Sequence, residues 1–271
     1  MGGIDIFELL GYRFFQNALI GGVLAAIACA SVGLFLILRK QAMIGDGLAH
    51  TSFGGIALGL LLGINPILTA LAVSMLSVLG ISYLRRKGMA PSDSAIAVML
   101  ALGFSSGLII ISFSHGFNVE LFSYLFGSIL TIDETDLVIV SLLGIFSLLF
   151  LGFFHRELLS MTFDEEESRI MGIPTKSLSL TFDLLVATTI VLSIRVIGII
   201  LVVALLVLPG LSALQLDMSF RKTILAATLL SVVSTVLGIL LSALFDIATS
   251  GLIVFTSALF FLLIIGYKKL Q

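Results

Sequence analysis

Residues 137–154 read LVIVSLLGIFSLLFLGFF, a run of 18 residues without a charged side chain. An α-helix of about 20 apolar residues crosses the hydrocarbon core of a bilayer, because each residue adds about 1.5 Å of length. The whole chain shares this character, since it is 59% hydrophobic and 11% charged with a mean hydropathy of +1.24. A water-soluble domain of this length does not need such a high apolar content. The sequence therefore predicts an all-α integral membrane protein, with residues 1–271 forming a single transmembrane domain.

Apolar runs of similar length recur along the chain and predict a polytopic bundle of about nine transmembrane helices. Besides 137–154, they cover residues 18–38, 47–64, 67–84, 94–113, 178–194, 196–216, 223–245 and 252–267. The runs at 178–194 and 196–216 are separated by Arg195 alone. If those two formed one long helix, the number of spans would be eight.

Basic residues in the connecting loops predict the orientation of the bundle. Short loops that are rich in Lys and Arg stay on the cytoplasmic side of the membrane. In a nine-span chain, twelve of the 14 basic residues fall on one side, and only Arg13 and Arg195 do not. The sequence therefore predicts that the N-terminus is outside and the C-terminus inside, and an even number of spans would break this pattern.

Two intervals differ from simple connections. Residues 119–131, VELFSYLFGSILT, are apolar but too short to span, and they predict a re-entrant or interfacial helix on the outer side. Residues 158–177, LLSMTFDEEESRIMGIPTKS, are charged and amphipathic, and Gly172 and Pro174 are expected to end a short helix there. A polar helix held at the cytoplasmic face predicts a docking surface for a soluble partner.

The second apolar run begins with two ionisable residues, Asp46 and His50, in the sequence GDGLAHTS at 45–52. Residues four apart on a helix project from one face, and a carboxylate with an imidazole suits Zn, Mn or Fe. Ionisable groups at membrane depth usually face a cavity, a partner or a substrate path. Two ligands are too few for a tight site, but a two-fold homodimer would supply four. The structural alternative is that Asp46 caps the helix and His50 bonds to a neighbouring helix.

Small residues continue along the same run at a spacing of four. Gly55, Gly59 and Gly63 form a stripe, and such a stripe predicts that another helix packs closely against it.

Enzyme motifs are missing from the sequence. It contains no nucleotide-binding loop of the form GxxxxGK[ST] and no HExxH motif. We therefore predict that the chain is not an enzyme and cannot hydrolyse ATP, that it keeps no permanent cofactor, and that its surroundings are membrane lipid rather than nucleic acid.

The region around Asp46 and His50 resembles the signature of permeases from bacterial and archaeal zinc, manganese and iron ABC importers. The matching segment is LRKQAMIGDGLAHTSFGGIALG at residues 38–59. Further matches are LFGSIL at 125–130, FDE at 163–165 with MGIP at 171–174, and VIGIILVVALLVLP at 196–209. The resemblance runs nearly from end to end.

This resemblance implies an assembly in a bacterial or archaeal cell membrane. Two permease copies would combine with two cytoplasmic ATPase subunits and an extracellular metal-binding lipoprotein or periplasmic binding protein. Asp46 and His50 would line the metal path. Residues 158–177 would be the segment that couples to the ATPase, through Phe163, Asp164, Glu165, Met171, Gly172, Ile173 and Pro174.

The predicted function is import of a divalent metal ion by alternating access, and two rival functions remain open. The cargo could instead be a metal chelate such as a siderophore, haem or cobalamin. A secondary metal transporter driven by an ion gradient would need several intramembrane carboxylates, and Asp183 is the only other strong candidate. The ligands do not distinguish Mn, Zn and Fe.

Overall fold

The computed structural model describes residues 11–113, 119–127, 134–245 and 247–270. Within these ranges every regular element is a helix, which confirms the predicted all-α fold. In chain order the helices are α1 (Arg13–Leu38), α2 (Ala42–Leu62), α3 (Pro66–Arg86), α4 (Ser92–Phe113), α5 (Val119–Phe126), α6 (Glu134–Phe163), α7 (Glu165–Ile170), α8 (Thr175–Ile197), α9 (Ile199–Leu214), α10 (Phe220–Phe245) and α11 (Thr249–Leu270).

Seven helices are long and apolar enough to cross a membrane, namely α1, α3, α4, α6, α8, α10 and α11. Helix α9 is apolar but has only 16 residues. Helix α2 has 21 residues, which gives it a length of about 31 Å, and its glycines and ionisable residues lower its hydropathy. With these two helices, the described part of the chain has a helix at the place of each of the nine predicted apolar runs. The orientation of the bundle stays a prediction.

Gly198 separates α8 from α9 and so decides between eight helices and nine. Its φ of 83° and ψ of 159° lie in a region that essentially only glycine adopts. A Cβ at this position would lie 2.4 Å from the backbone N of Gly127. The chain that follows α5 therefore presses directly on the break, and the two apolar runs form two helices.

The centre of the bundle is formed by α1 and α8. Within the apolar stretch of 18 residues in each helix, 72% of the residues are buried in α1 and 67% in α8, against 17% in α4 and in α11. Phe15, Phe35 and Phe182 are among the largest fully buried side chains. Helices that are apolar on all sides bury all sides only at the centre of a bundle, whereas the peripheral helices leave apolar surface for lipid.

Glycines bring α2 close to α3, as two of the three predicted positions show. A Cβ at Gly55 would lie 2.5 Å from the Cα of Ala70, and one at Gly59 would lie 2.7 Å from the Cα of Pro66. Gly63 does not share this packing, because the space around it is open. It ends α2 with a φ of 65°, a conformation for which glycine is preferred at helix ends.

Several predicted boundaries need correction. Helix α2 begins at Ala42, five residues before the predicted span, because Gly45 and Asp46 interrupt the apolar signal of its first three residues. The short helix expected before Gly172 and Pro174 in the interval 158–177 is α7, but α6 extends into this interval as far as Phe163 and α8 begins within it at Thr175. Helix α5, with 8 residues, covers the start of the predicted interfacial segment, and residues 128–131 lie outside the described residues.

The two basic residues that break the charge pattern both pair with the start of α6. The Nη1 atom of Arg13 lies 3.5 Å from Oε1 of Glu134, and Nε of Arg195 lies 2.8 Å from Oδ1 of Asp136. The Asp136 side chain is only 5% exposed. Each of the two positive charges that lie on the predicted outer side therefore has a carboxylate partner.

Candidate metal-ion site

Asp46 and His50 lie near the start of α2 on one face of the helix. The helix begins at Ala42 with Gln41 as the residue that precedes it, so Asp46 is its fifth residue and does not cap it. His50 bonds to its own helix, through the backbone oxygen of Asp46. The structural alternative, a cap together with a bond to a neighbouring helix, is therefore not the arrangement formed.

The contacts of the imidazole decide which nitrogen can bind an ion. Nδ1 of His50 lies 3.0 Å from the carbonyl oxygen of Asp46 and 3.3 Å from its Oδ1. A carbonyl oxygen only accepts hydrogen bonds, so Nδ1 carries a proton. In the neutral ring the lone pair then lies on Nε2, which is the nitrogen through which His50 would bind a metal.

Both side chains face a cavity of about 530 Å³. Their side chains are each about one third exposed, 35% for His50 and 34% for Asp46. The remainder of the wall is apolar and comes from α2, α4, α5 and α9. Its residues are Phe53, Phe104, Leu125, Ile199, Ile200, Val203 and Ala204. The carboxylate and the imidazole are therefore the polar groups among the lining residues, and a cation in this cavity would be drawn to them.

Phe104 of α4 packs edge-on against the imidazole. The ring centroids of Phe104 and His50 are 5.4 Å apart at an interplanar angle of 70°. Close contact of α2 and α4 makes this possible, because a Cβ at Gly54 would lie 2.4 Å from the carbonyl oxygen of Gly103. A Cβ at Gly107 would likewise lie 2.8 Å from the Phe53 ring. Glycines on both sides of Phe104 thus set the distance at which its ring meets His50.

One chain offers two ligands at this site. Among the described residues, no group of three or more His, Cys, Asp and Glu side chains is arranged to hold a metal ion. Zinc sites in proteins usually have four ligands, or three and a water. A metal ion held by this pair alone would therefore lack about half of the protein ligands that such sites usually have.

Comparison with known proteins gives the family. The family model for the ABC 3 transport family matches residues 11–268. The chain belongs to this family. It is 31% identical over 264 residues to the manganese transport system membrane protein MntC of Halalkalibacterium halodurans, covering 97% of this chain and 90% of that protein. It is also 31% identical over 266 residues to the chelated iron transport system membrane protein YfeD of Yersinia pestis, covering 98% and 89%.

A solved structure supports the same assignment. PsaBC from Streptococcus pneumoniae, in complex with Fab, superposes with a TM-score of 0.86 at 31% identity, covering 96% of this chain and 93% of that chain. The predicted resemblance to ABC permeases is therefore confirmed, and so is the location in a membrane. The permease is similar to proteins named for different metals.

The segment that was expected to contact an ATPase is exposed in the permease. Phe163 is 87% exposed and Met171 63%, and Asp164, Glu165, Gly172 and Pro174 are exposed as well. Ile173 is half-buried and packs against the core. The segment therefore combines an outward surface with one residue that anchors it.

Local hydrogen bonds shape this segment. Oδ1 of Asp164 accepts a bond from the backbone N of Glu167 at 2.9 Å and caps α7. Ser160 and Ser168 bond through their hydroxyls at 2.7 Å and hold α7 against the end of α6. Gly172, with a φ of 88°, turns the chain towards α8.

Sequence reasoning missed the residues that surround the two ligands. Phe104 and Leu125 are apolar residues in apolar runs, so no chemical signal separates a cavity wall from ordinary packing. Arg39, which approaches Asp183 of α8, was counted only as a positive charge in a loop. Its burial depends on a contact across 140 residues of sequence, which no local pattern records.

Proposed function

We propose that the permease moves a divalent transition metal ion, Mn, Zn or Fe, into the cytoplasm as the membrane subunit of an ABC importer. The observation that carries this proposal is the Asp46/His50 pair at the wall of an otherwise apolar cavity of about 530 Å³. A mixed oxygen and nitrogen ligand set suits these three metals and does not choose among them. Relatives named for manganese and for chelated iron support a metal cargo.

A second copy of the chain would complete the site. On a two-fold axis, Asp46 and His50 from each copy would supply two carboxylates and two imidazoles, which is a full tetrahedral shell. When the copies move apart at one face of the membrane, the shell divides into two half-sites with two ligands each. Affinity then falls sharply, and the ion can leave. The same geometry thus serves both capture and release.

The energy for this movement would come from a separate ATPase subunit. The exposed surface of residues 163–174 offers apolar side chains, Phe163, Ile170 and Met171, beside acidic residues of α7. A partner groove with an apolar floor and a basic rim would match this surface. On the opposite face, a metal-binding lipoprotein or periplasmic binding protein would deliver the ion.

The proposal is tested by metal uptake into vesicles that contain the permease, its ATPase and its binding protein. Asp46→Ala and His50→Ala should abolish uptake of Mn, Zn and Fe while assembly and ATP hydrolysis persist. Asp93→Asn, which changes an exposed carboxylate at the start of α4, is the matched control and should transport normally. Full uptake of a free ion by Asp46→Ala and His50→Ala would contradict the proposal.

The same vesicles separate the rival functions. A chelate importer would take up the chelated metal, and Asp46→Ala would leave that uptake unchanged. A secondary transporter would accumulate metal under an imposed proton or sodium gradient in vesicles without the ATPase. Each of these results replaces the proposed function by a defined alternative.

A further inference from the structure

The connection between α1 and α2 is a tight turn that fixes where the Asp46/His50 helix begins. The backbone N of Lys40 bonds to the oxygen of Ile37 at 2.9 Å, and that of Gln41 bonds to the oxygen of Leu36 at 2.8 Å. Lys40 has a positive φ of 55°. These are the bonds of a Schellman turn, which has little freedom. Any displacement of Arg39, the first residue of this turn, is therefore passed to α2.

The guanidinium of Arg39 is held by one face of α8. Its Nη2 atom donates to Oγ of Ser179 at 2.7 Å, and its Cζ lies 5.1 Å from the centroid of the Phe182 ring. Asp183 is the next residue on the same face, because positions 179, 182 and 183 follow the i, i+3, i+4 spacing of a helix. Arg39 thus ties the turn before α2 to the first turns of α8.

Buried polar atoms without a hydrogen-bond partner concentrate at this contact. They are Nη1 of Arg39, Oε1 of Gln41 and Oδ1 of Asp183, three of the five such side-chain atoms in the described part of the chain. Buried polar groups are usually paired, and a buried charge without a direct partner is strongly disfavoured. Nη1 and Oδ1 are a donor and an acceptor of opposite charge, so direct contact between them would satisfy both.

The charged groups around Arg39 include Glu165, which belongs to the segment 158–177. Burial lowers the pKa of Arg39 below its usual value, Asp183 opposes that change, Arg85 adds to it, and Glu165 opposes it more weakly. Glu165 is the first residue of α7. A polar cavity of about 220 Å³ at this point is lined by residues of α3, α7 and α8, among them Arg85, Glu165 and Asp183. The cavity gives α7 and α8 room to shift relative to α3.

We propose that Arg39 and Asp183 are positioning residues that transmit movement of residues 158–177 to the helix that carries Asp46 and His50. Only three residues, 172–174, lie between Met171, which follows the last residue of α7, and Thr175, the first residue of α8, so that a movement of α7 is passed on to Ser179 and Asp183. Contact of Nη1 with Oδ1 defines a second arrangement, in which Arg39 moves along α8 and draws the turn and α2 with it. The role of this movement in transport rests on the proposed function, whereas the movement itself does not.

The first test measures metal moved per ATP hydrolysed in vesicles with the complete transporter. Asp183→Asn keeps the size of the side chain and removes its charge, and we expect ATP hydrolysis within about twofold of wild type but metal uptake at least tenfold lower. Lys87→Gln and Asp93→Asn alter exposed charges and should leave the ratio unchanged. An unchanged ratio in Asp183→Asn would overturn the proposal.

A paired variant separates transmission from simple stabilisation. Arg39→Met combined with Asp183→Leu replaces the two charges by apolar side chains of similar volume, a change that often preserves or raises stability. If the two residues only stabilise the fold, this double variant transports normally, which would overturn the proposal. If they transmit movement, the double variant assembles and hydrolyses ATP but moves little metal. Should Asp183→Asn fail to assemble, the double variant carries the test.

A readout without cargo keeps this proposal distinct from the proposed function. Hydrogen exchange of residues 39–50 in the complex should change when ATP is added to wild type, and should not change in Asp183→Asn. If wild type moves no free metal ion but shows this ATP-dependent exchange, the metal assignment fails and the transmission stands. Equal exchange changes in both proteins would contradict the transmission.

Discussion

Two pairs of acidic and basic residues, Asp46 with His50 near the start of α2 and Asp183 with Arg39 just before it, differ in their access to solvent. Asp46 and His50 are about one third exposed, face a cavity, and contact each other at 3.3 Å. Asp183 is buried and Arg39 half-buried, and each has a buried atom without a hydrogen-bond partner. An accessible pair with satisfied contacts can exchange its partner for an ion at little cost. A buried, incompletely bonded pair instead favours a change in the position of its helices.

The largest effect is expected at the accessible pair. Asp46→Ala or His50→Ala removes half of the ligands that one chain supplies, and uptake should fall on the order of 100-fold, since even residues behind metal ligands affect affinity by about 10- to 100-fold. The unfolding temperature should hardly change, because the two side chains are partly solvated. Uptake of a radioactive ion and thermal unfolding in detergent measure the two quantities. A large loss of stability would identify the pair as structural.

A double-mutant cycle should show that Arg39 and Asp183 affect the stability of the fold more than Asp46 and His50 do. Arg39→Met alone and Asp183→Leu alone each leave a buried charge without its counterpart, and both should lower the unfolding temperature. The double variant should recover most of that loss, with a coupling free energy between roughly 0.5 and 3 kcal/mol. The same cycle at Asp46 and His50 should give no more than about 0.5 kcal/mol, because partly solvated pairs four residues apart on a helix contribute about 0.3–0.5 kcal/mol. Equal coupling at the two pairs would remove the distinction between them.

The two pairs also differ in how much the sequence revealed. The spacing of Asp46 and His50 on one helix is local, so the pattern predicted their shared face, and the apolar runs predicted nine spans. The contact of Arg39 with Ser179 joins residues 140 positions apart. Nothing in the local sequence records such a contact, and the basic residue was read only as a marker of orientation.

Boundaries and breaks were the least predictable parts of the fold, for physical reasons. Gly45 and Asp46 interrupt the apolar signal of the first residues of α2, so hydropathy placed the start of the helix at residue 47 rather than at Ala42. Gly198 lies within an apolar run, and glycine is common in transmembrane helices. Only the contact with Gly127 shows that the helix must break there. Gly63 was assigned to packing because its spacing matched, although it ends a helix.

A smaller effect should follow from Phe104, which contacts the imidazole from a neighbouring helix. Phe104→Leu removes the edge-on ring contact, and aromatic contacts of this kind contribute about 0.5–1.5 kcal/mol. The KM for metal should therefore rise by roughly 2- to 12-fold, with a smaller change in the maximal rate. Phe113→Leu, at an exposed position of the same helix, should leave both constants unchanged. A fall in the maximal rate at constant KM would place the effect on movement of the helices rather than on His50.

The smallest effect is expected at an ion pair that is almost fully exposed. Arg13 and Glu134 form an ion pair at 3.5 Å, and their side chains are 89% and 82% exposed. Arg13→Gln should change the free energy of unfolding by less than about 0.5 kcal/mol, and the difference should shrink further as salt is raised. Thermal unfolding at low and high ionic strength measures both. A loss of more than about 1 kcal/mol in the free energy of unfolding that stays the same at high salt would show that the packing of α1 against α6 depends on this ion pair. A charged pair this exposed contributes little to stability, and burial is then the property in which the three pairs differ.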